Sequence, residues 1–314
     1  MYYIGIDVGG TNLKAGLVDE NGTILATERT PLGTFTTPEA FAQTLAELSR
    51  AVLDSAGKDK REIEYVGIGI PGAVAGGEIL YTCNIPMRDV PLSDLFRRHL
   101  DIPVLLENDA NCAAVGEWLC GAGRGTRDFA VITLGTGVGG GFVLGGKLYS
   151  GGGMVGEVGH MVVEKGGAQC NCGRCGCWEA YASATGLIRM TKEAMAAHPE
   201  SLLHQLASES GAVEGRTAFD AAAAGDETAK ALCAAYVEYL AAGVTNLVNI
   251  LQPEVLAVGG GVAGAPDALL MDPLREIVNA ECYPRHCGKL PRIVRAELGN
   301  DAGILGAALL GRAI

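Results

Sequence analysis

Apolar and polar positions along the chain follow three patterns, and each marks a different kind of element. Residues 4–8 are an apolar, β-branched run that closes on Gly-Gly-Thr-Asn. Residues 13–19 resume the run, and after Glu-Asn-Gly the segment 23–28 alternates polar and apolar. This pattern predicts a meander of three strands joined by a glycine turn and an Asn-Gly turn. Thr37 followed by Pro38 predicts a helix start, and Phe41, Leu45, Leu48 and Val52 then recur at helical spacing. Residues 64–72 read as a buried strand ending in a Pro-Gly turn. Residues 103–111 read as another strand, which delivers Asn108 and Asp109 at its carboxyl end.

The opening pattern then returns about 128 residues later. Residues 128–151 read as strand, Gly-Thr-Gly turn, strand, Gly-Gly turn, strand. Residues 254–264 read as a strand running into glycines, and residues 302–314 as a closing apolar helix. Between them, 186–200 and 229–251 have helical periodicity. A glycine-hinged hairpin used twice predicts an internal duplication. Two α/β halves would then face each other across a cleft with both glycine turns at its edge. The expected division is a small α/β domain of residues 1–108 plus 300–314, and a large α/β domain of residues 109–299 that carries a cysteine-rich loop at 157–179.

Composition narrows the class. Hydrophobic residues make up 48% and charged residues 19% of 314, which favours a packed globular chain over disorder. The net charge of −12 and the lack of a Lys/Arg-rich run argue against nucleic acid as a partner. An anionic ligand would be held by backbone amides and metal ions more than by basic side chains. The longest uncharged run, 129–146, holds seven glycines and alternates like strand-turn-strand, so no membrane span is expected there. The opening MYYIGIDVGG has neither a basic n-region nor an apolar h-region, which predicts a cytoplasmic protein whose ten cysteines are thiols or metal ligands.

Neither glycine turn is GxGxxG opening a helix, nor GxxxxGK[ST], so dinucleotide-fold and P-loop readings fit poorly. Glycine in such a turn lets backbone N–H groups approach an anion, and Thr11 and Thr136 add hydroxyl donors. The alternative is a plain tight turn. Two copies, with Gly259, Gly260 and Gly261 as a third glycine run, favour phosphate cradling.

Five soft ligands cluster between His160 and Cys177: His160, Cys170, Cys172, Cys175 and Cys177. Their spacing favours zinc over a disulfide knot or a redox pair, without saying which four bind. Four protein ligands would leave no open position, so the metal would be structural. One ring nitrogen of His160 would remain free to meet a hydroxyl.

IGIDVGGTNLKAGLVD resembles the first phosphate motif of the sugar kinases of the actin-like ATPase superfamily, LGTGVGGG the second, and VLAVGGGVAG the adenosine motif. With GEVGH and CxCGxxGCxE, the chain resembles the ROK family of bacterial sugar kinases and repressors over nearly its whole length. The resemblance implies two actin-like (ribonuclease H-like) α/β domains and an ATP-dependent hexose kinase, with glucose as the expected substrate. N-acetylmannosamine, another hexose or another N-acetylhexosamine is the alternative. It implies zinc on His160, Cys170, Cys172 and Cys177, with Cys175 at a variable position. It implies sugar contacts from Glu157, His160 and Glu179, and from Asn108, Asn84 and Gly72.

Asp109 is the candidate base, and a helix cap is its bland alternative; the ROK catalytic aspartate falls in this Asn-Asp pair. ATP and Mg²⁺ are expected at Asp7, Gly9, Gly10, Thr11, Gly135, Thr136, Gly137, Gly260 and Gly261. Lys14 is expected to be a solvated strand lysine. A ROK repressor carries an N-terminal winged helix, for which a phosphate strand starting at residue 4 leaves no room. A non-catalytic sugar sensor is disfavoured by the intact Asp109 and glycine turns. Family membership further implies a homodimer or homotetramer.

Overall fold

The computed structural model describes residues 1–82 and 85–314. By packing, the chain forms two compact units: residues 1–131, 141–156 and 297–314, and residues 132–140 and 157–296.

The first unit opens with the predicted meander. Strands β1 (Tyr2–Val8), β2 (Asn12–Asp19) and β3 (Ile24–Pro31) pair antiparallel in sequence. Helix α1 (Pro38–Ala56) starts at Thr37, whose side chain caps Ala40 N–H, and it buries Phe41, Leu45, Leu48 and Val52 as the spacing required. Strand β4 (Ile63–Ile70) joins β1 in parallel. A small sheet of β5 (Ala73–Ala75), β6 (Glu78–Thr82) and β7 (Met87–Val90) precedes helix α2 (Leu92–His99). Strand β8 (Val104–Asn108) then pairs parallel with β4 and runs directly into helix α3 (Asp109–Cys120). The sheet order is β3-β2-β1-β4-β8.

The pattern recurs in β9 (Phe129–Leu134), β10 (Val138–Leu144) and β11 (Lys147–Leu148). After the helices α4 (Glu179–Ala182), α5 (Ala184–Ala197), α6 (Leu203–Ser210), α7 (Thr217–Ala223) and α8 (Glu227–Leu251) comes strand β12 (Val255–Gly259). Helix α9 (Met271–Glu281) and strand β13 (Arg292–Arg295) follow. The second sheet has the order β11-β10-β9-β12-β13, position for position the arrangement of the first. The uncharged run 129–146 is strand-turn-strand, as expected. Helix α8 is long and apolar enough to cross a membrane, but Leu232, Tyr236, Leu240, Val244 and Val248 on it are buried in protein.

The expected domain division at 108/109 and 299/300 differs from the packing. Helix α3 belongs to the first unit, because it lies against α10 (Ala302–Ala308) through bare backbone. A Cβ on Gly306 would overlap the Cys112 carbonyl, and one on Gly116 would overlap that of Ala302. The other side of α10 presses on the sheet, where Gly5 and Gly67 leave room for the Ile304 and Ala307 carbonyls. Segment 141–156 also packs with the first unit. The first unit is therefore the larger, and the cysteine-rich loop lies in the other one.

Candidate active site

In the first unit, Asp109 is the first residue of α3, and the cap is Asn108. The Asn108 Oδ1 accepts from Ala110 N–H at 2.8 Å and Asn111 N–H at 3.3 Å, and its Nδ2 donates to the Gly72 carbonyl at 2.9 Å. Capping, the bland alternative for Asp109, thus falls mainly to its neighbour. Asp109 Oδ1 accepts from the amide of Ala110 at 2.9 Å and sits half-buried at a helix N-terminus, where a carboxylate is favoured.

Beneath it lies Glu107, which the motif reading passed over. It is buried, and its Oε1 accepts from Asn108 N–H at 2.8 Å and Asn111 Nδ2 at 3.0 Å. Gly72 has φ 137°, and a Cβ there would strike the Tyr81 carbonyl, so glycine is structurally required. Asn84 lies outside the described residues.

The turn after β1 closes with Gly9 N–H on the Asn12 carbonyl at 3.0 Å, while Gly10 and Thr11 are exposed. Asp7, at the end of β1, lies against Gly303 at the start of α10 and pairs in register with Lys14 of β2. Burial pushes the Asp7 carboxyl up, and the charge of Lys14 offsets part of that rise. A buried carboxylate is costly unless a cation or donor compensates it, which fits a residue that holds a divalent ion.

In the second unit, the turn after β9 closes much as the first does, with Gly135 N–H on the Gly137 carbonyl at 3.0 Å. Gly135, Thr136, Gly261, Val262 and Gly264 line one cavity of about 550 Å³ together with Phe219, Arg216 and Glu214. That volume suits a ligand of nucleoside size, with glycine backbone on one side and Phe219 among the apolar residues of its wall. The wall residues Glu214, Arg216 and Phe219 were missed in the sequence, since they belong to no motif. The glycines divide by role. Gly10, Gly135 and Gly261 face open space. Gly260, at φ 85°, packs on the Leu134 backbone, and at Gly137 a Cβ would occupy the place of the Glu179 carboxylate.

The cysteine loop folds back on itself through two nested antiparallel bridges, Val162 with Cys177 and Gln169 with Cys175. It is fastened to α8 by the fully buried Trp178, whose Nε1 donates to the Tyr239 carbonyl at 2.9 Å and whose ring fills the space left by Gly243. Tyr236 Oη donates to the Ala182 carbonyl at 2.6 Å. The ligand atoms of His160, Cys170, Cys172 and Cys177 all lie within 4.8 Å of one another. Cys172 Sγ is 3.6 Å from Cys177 Sγ, and Cys170 Sγ is 3.7 Å from His160 Nδ1. Zinc–sulfur bonds of about 2.3 Å in a tetrahedron put neighbouring sulfurs about 3.8 Å apart, so the four residues fit a zinc ion. Cys175 lies outside the cluster, exposed, with its thiol directed at Gln169 Oε1 at 3.2 Å.

His160 turns Nδ1 to the cysteines and Nε2 toward Glu157, whose Oε2 is 3.8 Å away. Glu157 is exposed. Glu179 begins α4, with Oε2 accepting from Val138 N–H at 3.0 Å and Oε1 facing Cys170 Sγ at 3.8 Å. The second unit therefore brings Glu157, His160 and Glu179 to one loop, while the first presents Asp7, Asn108 and Asp109.

A duplicated α/β fold with the same sheet order and a glycine turn in each copy is that of an actin-like phosphotransferase of the sugar-kinase class. The sequence model of the ROK family matches residues 3–314, and the chain belongs to that family. It is 39% identical to a glucokinase of Halalkalibacterium halodurans over 98% of this chain and 94% of the relative. It is 40% identical to a glucokinase of Thermotoga maritima over 97% and 95%. Among solved structures, a ROK family glucokinase from Streptomyces griseus in complex with glucose and AMPPNP superposes with TM-score 0.79 at 36% identity, covering 99% of both chains.

Proposed function

We propose that this protein is an ATP-dependent sugar kinase that phosphorylates glucose to glucose 6-phosphate. The observation that carries the reading is the cavity of about 550 Å³ lined by both the Gly135-Thr136 turn and the glycine turn at 261–264. Its lining sets glycine backbone beside apolar side chains, as a phosphate cradle and a base pocket would need, in a chain whose relatives include glucokinases.

The residues divide the work. ATP enters that cavity with the turn at Gly135, Thr136 and Gly137 toward its phosphates, although the Gly135 amide closes its own turn. In the first unit Gly10 and Thr11 form a second, exposed glycine turn suited to phosphate. Asp7 holds Mg²⁺ directly or through water, and bound Mg²⁺ neutralises phosphate charge. His160 Nε2, Glu157 and Glu179 hold the sugar hydroxyls. Asn108 holds the start of α3, its oxygen already committed to the cap, so any sugar contact it makes comes from Nδ2. Asp109 takes the proton of the 6-hydroxyl as it attacks the γ-phosphorus, and the bond from that phosphorus to the β,γ-bridging oxygen breaks to release ADP. His160, Cys170, Cys172 and Cys177 would hold zinc with four protein ligands, which would fix the loop and the His160 tautomer and leave the metal no open position for the transfer.

An ATP-consuming protein with thiolate zinc ligands belongs in the reducing cytoplasm. Self-association to a homodimer or homotetramer is part of the same reading, and exposed Ile250 and Tyr283 offer apolar surface for it. Light scattering that gave only a monomer would refute that part.

The test is ADP release with Mg-ATP across glucose, mannose, fructose, allose, N-acetylglucosamine and N-acetylmannosamine. Preference for glucose is expected. Preference for an N-acetylated sugar would overturn the substrate, and silence across the panel with zinc bound would overturn the kinase.

A further inference from the structure

We infer that Glu179 is a positioning residue for the nucleotide, independent of any contact with the sugar; this rests on the kinase reading. The glycine turn between β9 and β10 has three tethers, and all come from one short stretch. Glu179 Oε2 accepts from Val138 N–H at 3.0 Å, Ala184 N–H donates to the Gly135 carbonyl at 2.8 Å, and Thr185 Oγ1 donates to the Thr136 carbonyl at 2.8 Å. The side chain of Glu179 occupies the space that any Cβ on residue 137 would need. Glycine at 137 is therefore required by a carboxylate of the protein itself, quite apart from any phosphate. Gly135, Thr136 and Ala184 also line the nucleotide cavity, so the tethered backbone forms its wall.

The stretch that supplies the tethers is itself rigid. Trp178, one residue before Glu179, is fully buried against α8, and the Ala182 carbonyl is held by Tyr236. A flexible glycine turn is thereby fixed to a helical framework by a charged acceptor. Hydrogen bonds to charged groups are among the stronger ones. Without the carboxylate, Val138 N–H loses its acceptor and the turn gains freedom that nucleotide binding must remove.

The decisive measurement is calorimetric binding of Mg-AMPPNP to the zinc-loaded protein with no sugar present. Glu179→Ala is expected to weaken binding about ten-fold or more, the factor expected from losing one charged hydrogen bond. Glu179→Gln keeps a carbonyl acceptor for Val138 N–H and is expected to stay within about three-fold of wild type. Thr185→Val, which removes a tether from an exposed position, is expected to weaken binding several-fold with the fold intact by circular dichroism. Wild-type affinity in both Glu179→Ala and Thr185→Val would overturn the inference. So would a Glu179→Gln protein as weak as Glu179→Ala. Wild-type protein that binds no AMPPNP would refute the kinase reading itself, and the inference with it.

Discussion

Asp109 and Asp7 are two carboxylates whose neighbours give them different tasks. Asn108 does most of the capping of α3, which leaves Asp109 a carboxylate at a helix start. Asp109→Ala is expected to lower kcat at least about 10³-fold, within the range of a lost general base. Glucose and AMPPNP binding should persist, and turnover near wild type would remove Asp109 from the mechanism. Asp7 is a half-buried acid whose folded pKa is raised above its ordinary 3.8 by desolvation. The unfolded chain then releases this proton more readily than the folded one. Stability is lost as pH rises from near 4 through the folded pKa, and the cost is fully present above it. Asp7→Asn is therefore expected to be more stable than wild type to urea at pH 7, with the gap closing near pH 3.8, while losing phosphoryl transfer. A variant less stable at pH 7 would refute the burial account. Asp109 was legible because it stands in a motif at a strand end. Glu107, Glu214 and Arg216 were not: Glu107 is bonded to its own near neighbours Asn108 and Asn111 without forming a recognisable motif, and Glu214 and Arg216 stand in a segment with no motif at all.

At the scale of elements, periodicity located the strands of both meanders, α1 and α8, because each buries one continuous face. The hairpin sheet β5-β6-β7 and helices α2, α6, α7 and α9 are short, so that few residues mark each buried face. The closeness of α3 to α10 was not read from apolar periodicity, since it depends on missing side chains: Gly116 and Gly306 bring backbone against backbone. The boundary expected at residue 108 failed for that reason. Small residues at Gly116 and Gly306 are the signal that could have been read. Gly306→Ala would press a methyl onto the Cys112 carbonyl, a backbone atom that cannot rotate away. It is expected to cost about 1–3 kcal/mol, as overpacking does, and denaturant titration would show it. An unchanged midpoint would mean that α10 can shift outward.

For the whole molecule, a duplicated sheet order has been put to unequal uses. The first copy is held by apolar clusters drawn entirely from the first unit, running from Ile4 to Ile102 and from Tyr3 to Ala313. The second copy carries a loop in which a metal on His160, Cys170, Cys172 and Cys177 would add to what burial supplies. Cys172 is exposed, and Gly173 and Gly176 hold φ of 90° and 81°, so without metal the loop loses its main constraint between residues 160 and 177. Chelation, or Cys177→Ser, is accordingly expected to remove zinc and raise amide exchange across 157–182, with β1, β2 and β4 as protected as before. Cys175→Ser should retain one zinc per chain, because its thiol points at Gln169, away from the cluster. Loss of zinc in Cys175→Ser would mean that the four-ligand set is wrong. Equal loosening of β1 and β4 on chelation would mean that the metal supports the whole chain and not one loop of it.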